Sequence, residues 1–179
     1  MKWERGTLAD FMADLVVYRN LEPADPAVPG LRALWEEAGL PRYYIPRKTA
    51  REYARVLLLC LQAAQRGRGF ATRLRHALFI GDTLMNDGTA ARHVGAHLTT
   101  RAFIGADRPS EPPAVEIQRD LMVANRWEAL ADFVRWIRTE GLPCDESTVL
   151  LIDLDKTALG ARGRNDSVID RARLRAVVR

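Results

Sequence analysis

Apolar positions along the chain fall into two regimes. Over residues 1–67 they recur at helical spacing. Leu8, Phe11, Met12, Leu15 and Val16 follow Thr7, with Asp10 three residues after that threonine as a weak capping box. Asp25-Pro26 predicts the opening of a second helix and Gly39, followed by Pro41, its close. Thr49 and Glu52 form a T-x-x-E capping box ahead of Tyr53, Val56, Leu57, Cys60, Leu61 and Ala64, a third helix that ends near Gly67. Three helices without a clear strand predict an all-helical segment, 1–67.

From residue 68 the pattern changes. A short helix through Thr72 to His76 is predicted before ALFIGD, an unbroken apolar run of the kind that forms a fully buried strand and stops at Gly81-Asp82. A turn and a helix follow, then AHLTTRAFI (96–104) as a strand and GADRPSEPPAVE (105–116) as a Pro-rich surface loop. DLMVAN is a short strand. Asn125 and Glu128 frame a helix whose Trp127, Leu130, Ala131, Val134 and Ile137 make one apolar face, closed by Gly141. TVLLIDLD (148–155) is the last strand, and a helix runs from about Ser167 to Arg179. Strands alternating with helices predict an α/β domain over 68–179, built on a parallel, doubly wound sheet.

Composition narrows the classes. At 179 residues and 47% apolar content the chain can bury one sizeable core beside an accessory segment. No apolar run approaches the roughly 20 residues of a membrane span. The start, MKWERGTLADFM, has charges where a secretory leader is apolar, so no membrane partner is expected and the cytoplasm is the default compartment. Cys60 and Cys144 are too few for a disulfide framework or a zinc site and are read as reduced thiols. The net charge of +4 raises the question of nucleic acid. The 24 arginines, however, are scattered among acids, only three lysines occur, and RARLRAVVR reads as the solvated face of a helix, so a nucleic-acid partner is not expected.

Candidate chemistry sits at two strand ends. Ligands of an open parallel sheet bind outside the carboxyl ends of its strands. One strand ends in Asp82, with Asn86 and Asp87 close behind in GDTLMND; another ends in Asp153 and Asp155 of DLDKT. If these strands are neighbours, three or four carboxylates converge, an arrangement that calls for a cation, and hard oxygen ligands suit Mg²⁺. Asp153 is then placed as a nucleophile on phosphorus, Asp155 as the acid and base two residues on, and Thr157 as a phosphate-binding hydroxyl. Asp87 has a second role open to it, as N-cap of the helix through Ala90, Ala91 and Val94.

LLIDLDKT resembles the D-x-D-x-T first motif of the haloacid dehalogenase superfamily, and LFIGDTLMND resembles its fourth motif, G-D-x-x-x-N-D. The resemblance covers roughly residues 70–166. It implies a Rossmann-like fold and Mg²⁺-dependent hydrolysis of a small phosphorylated substrate through an aspartyl-phosphate. Asp153 would be nucleophile and metal ligand, Asp155 acid/base and backbone ligand, and Asp82 and Asp87 the remaining metal ligands. Lys48 stands roughly where the family's third motif would place the lysine that steadies the intermediate. A non-catalytic binding module is the alternative. The motif order is reversed relative to the family, and no phosphate-binding Ser/Thr strand follows Asp155. The domain is therefore expected to be circularly permuted or incomplete, with an open sheet edge suited to a homodimer or strand exchange.

Overall fold

The computed structural model describes residues 10, 12, 14–108 and 110–159. They divide into two compact units, Met1–Leu74 and Arg75–Arg179.

In the N-terminal unit the chain forms helices α1 (Leu31–Leu34) and α2 (Arg51–Gly67). The helix predicted after Thr7 lies largely outside the described residues; Leu15 and Val16, its last expected positions, are not helical. α1 is far shorter than predicted. Pro29 removes an amide donor and pushes Val28 out of the helical region. Asp25 accordingly makes a turn, its carboxylate accepting from the Ala27 N–H at 2.9 Å and its carbonyl from the Val28 N–H at 3.1 Å. Gly39 ends the following turns at φ +70°, a left-handed conformation that glycine adopts without Cβ strain. α2 starts after Ala50, one residue later than the Thr49 cap expected, and Glu52 pairs with Arg55 at 3.3 Å. Its Val56, Leu57 and Cys60 are buried. Burial, with Glu22 adding repulsion, pushes the Cys60 thiol up to about 12.

The C-terminal unit is an α/β domain. Its mostly parallel five-stranded sheet has the order β3 (Val115–Gln118), β4 (Leu121–Ala124), β2 (Thr99–Gly105), β1 (His76–Gly81), β5 (Thr148–Ile152), with only β3 antiparallel to its neighbour. β3 begins at the end of the stretch predicted as loop, with Val115 and Glu116, and runs on through Gln118. Its side chains are mostly exposed, so it lacks the apolar signal that marks a buried strand. The helix predicted over 72–76 is absent, because the Arg75 carbonyl accepts from the Thr99 N–H while the Arg75 and His76 N–H groups donate to the Ser147 carbonyl. Sheet pairing here overrides a local helical preference.

Helices cover both faces, as alternation along the strands requires. Leu78, Phe103 and Met122 point to one side, where α4 (Leu130–Thr139) adds Phe133 and Ile137. Phe79, Ala102 and Leu121 point to the other, against Ala90 and Ala91 of α3 (Thr89–Val94). Phe133 is 2% exposed, its ring centroid 5.9 Å from that of Phe103 in a tilted contact and 6.0 Å from that of Trp136 in an edge-on one. Val134 is exposed and leaves the predicted apolar face. Asn125 does not cap the helix: its side chain accepts from the Ala114 N–H and donates to the Pro112 carbonyl, both at 2.7 Å, fastening the Pro-rich loop. Among the described residues β5 forms the other sheet edge, with Leu150 and Ile152 exposed. The helix predicted from Ser167 lies outside the described residues. No helix among them is long and apolar enough to cross a membrane.

Two expectations follow. Phe133→Ala should lower the unfolding free energy by about 3–5 kcal/mol, read from urea titration by circular dichroism; a loss below about 1 kcal/mol would show that this ring does not hold α4 to the sheet. A thiol reagent at neutral pH should label Cys144, which is exposed, and spare Cys60 until the chain is denatured; rapid native labelling of both would contradict the packing of α2.

Candidate metal centre

The site begins with the pairing of β1 and β5. They run parallel with His76 opposite Thr148 and Ile80 opposite Ile152. One further bond, from the Asp153 N–H to the Ile80 carbonyl at 2.9 Å, extends the ladder past the end of β5. Asp153 therefore emerges beside the loop that leaves β1.

That loop is folded by its own last acid. The Asp87 carboxylate oxygen Oδ2 accepts from the Asp82 N–H at 3.1 Å, the Thr83 N–H at 2.8 Å and the Thr83 hydroxyl at 2.9 Å. The chain between them, Leu84–Gly88, winds as a single π-type turn, a rare form that recurs at functional sites. The Asp87 N–H returns to the Thr83 carbonyl at 2.9 Å. Gly81 makes this closure sterically possible: a Cβ there would fall 2.4 Å from the Asp87 Cβ and 2.5 Å from its Cγ. The N-cap role for Asp87 is not realised, since α3 has Gly88 at that position and no side-chain cap.

Three of the sequence-predicted acids come together. Asp82, Asp87 and Asp153 each bring a carboxylate oxygen within 4.8 Å of the others. Asp82 is 6% exposed and Asp87 1%, while Asp153 is half-buried. Carboxylates this close and this dry repel one another unless a cation or a proton intervenes. An all-oxygen, all-anionic donor set of this size fits a hard divalent cation such as Mg²⁺ or Ca²⁺ and offers nothing to soft metals.

The remaining candidates are placed differently. Thr157 donates its hydroxyl to Asp153 Oδ2 at 3.4 Å, within a tight loop in which the Ala158 N–H donates to the Asp153 carbonyl and the Leu159 N–H to that of Leu154. Lys156 turns this loop at φ +63°. Asp155 is exposed, and its carboxylate is not in the three-acid group. Lys48 is half-buried and belongs to the N-terminal unit, whereas the acids all belong to the C-terminal one. Sequence reading assigned no role to Thr83. The signal for it was its place directly after Gly81-Asp82, four residues ahead of a second aspartate, where an acid can fold back on the loop.

No family model, curated protein or solved structure matches the chain.

Gly81→Ala should force the Asp87 loop outward, lowering stability by about 1–3 kcal/mol and removing most of any stabilisation that added Mg²⁺ gives the parent chain. Urea unfolding with and without Mg²⁺ measures both. Parental behaviour in the variant would contradict the tight approach of Gly81 to Asp87.

Proposed function

We propose that the C-terminal unit is a Rossmann-like phosphoryl-transfer domain of the haloacid dehalogenase type, hydrolysing a small phosphate ester with Mg²⁺. The observation that carries this reading is the convergence of Asp82, Asp87 and Asp153 from two adjacent parallel strands. The chain order of the two motifs is reversed, and the strands that bear them are still neighbours in the sheet.

Asp82, Asp87 and Asp153 would hold the cation. Bound there, Mg²⁺ supplies the positive charge that lets an anionic phosphate approach an anionic carboxylate. The chain's own groups do the rest. An Asp153 carboxylate oxygen attacks phosphorus as the bond to the leaving oxygen breaks, and that oxygen takes a proton from Asp155. Asp155 then accepts a proton from water, the water oxygen attacks phosphorus, and inorganic phosphate departs from a regenerated Asp153. The exposure of Asp155 suits this part, since it lets the group exchange protons with solvent. Thr157, donating to Asp153 Oδ2, orients the attacking carboxylate.

A second reading, a cation-binding module without turnover, is favoured by one observation: among the described residues no strand lies beyond β5 to carry a phosphate-binding hydroxyl.

Hydrolysis of p-nitrophenyl phosphate distinguishes them. Mg²⁺-dependent turnover that falls at least about a thousandfold in Asp153→Asn is the expected result. Turnover that survives EDTA or the substitution would overturn the mechanism. Mg²⁺ binding with no turnover would establish the second reading.

A further inference from the structure

We propose that the segment Arg42–Arg51 of the N-terminal unit binds single-stranded nucleic acid. RYYIPRKTAR holds four cations and no acid, as do residues 66–75 and 171–179, and alone of the three it carries adjacent aromatic residues, Tyr43 and Tyr44. Residues 43–47 form no helix or strand. No backbone hydrogen bond among the described residues uses the N–H of Arg42, Tyr43, Tyr44, Ile45 or Arg47. Such a run has neither a sheet partner nor a helical ladder to account for its course.

Its side chains are unusual in the same direction. Tyr43 is 46% exposed, Tyr44 36% and Ile45 52%, three large apolar groups in succession left in water. Arg42, Arg47 and Arg51 are exposed as well. No ion pair among the described residues engages Arg42, Arg47 or Arg51. Lone exposed apolar residues need no explanation, but consecutive aromatics framed by uncompensated guanidinium groups do. The ligand complementary to such a surface is an anionic chain that also offers flat π-faces: phosphates for the arginines and unstacked bases for the tyrosine rings. A duplex hides its bases, so the single strand is the favoured form.

The test is fluorescence anisotropy of a labelled twelve-residue oligouridine with the full chain. Binding should weaken with salt, with a slope of log K against log salt near −2, about 0.7 for each of three phosphates neutralised. Tyr43→Ala with Tyr44→Ala should weaken binding about tenfold and leave that slope unchanged, because stacking releases no counterions. Arg42→Ala with Arg47→Ala should weaken binding and flatten the slope. These residues are exposed, and an unchanged circular dichroism spectrum would confirm the fold of each variant. The proposal is overturned if the oligonucleotide does not bind at low salt, if the variants bind like the parent, or if duplex RNA binds as well as the single strand. It is equally overturned if polyglutamate or phosphatidylserine vesicles compete with equal strength, which would make the segment a general anion or membrane surface.

Discussion

The parallel pairing of β1 with β5 is what brings Asp153 beside Asp82 and Asp87 in the C-terminal unit. Side chains alternate along a strand, so a slip of one residue would move Asp153 by about 3.3 Å and turn its carboxylate to the other face of the sheet. Two devices hold the register. Leu151 packs beside Phe79 against the α3 side of the core. Before β5, Asp145 accepts from the Ser147 hydroxyl at 2.6 Å and N–H at 2.8 Å, bonds that hold its carboxyl below the usual carboxylate range. The Ser147 carbonyl in turn receives the Arg75 and His76 N–H groups. The turn that starts β5 is thus tied directly to the start of β1, at the opposite end of both strands from the acids.

At that far end the fold accepts an electrostatic cost. Asp87 is fully buried, and its Oδ2 is compensated by three donors from the loop it closes. Bringing Asp82 and Asp153 alongside adds repulsion that no packing of the core requires. Loop closure and charge clustering are therefore joined in one device. The contact that shapes the loop also fixes the Asp87 carboxylate and the backbone of Asp82, and anything that binds all three carboxylates stabilises the loop by mass action.

Much of this architecture was legible in the sequence. The unbroken apolar runs gave β1, which is largely buried, and β5, an apolar strand that is only partly covered, and the aspartates beyond them gave the cluster. What was not legible came from partners distant in sequence. Residues 72–75 have a helical pattern but are drawn to Ser147 and Thr99. Asn125, placed like an N-cap, is taken by the backbone of the Pro-rich loop. β3 is an edge strand with little to bury, and α1 is cut short by Pro29. The closeness of Gly81 and Asp87 depends on a π-type turn that no spacing rule anticipates.

We propose that the three carboxylates from two strands form one cation site, and calorimetric titration of Mg²⁺ into the full chain and into Asp82→Asn tests this. One ion should bind per chain, with affinity at least about tenfold lower in the variant. No binding by the parent chain, or equal binding by both, would contradict it.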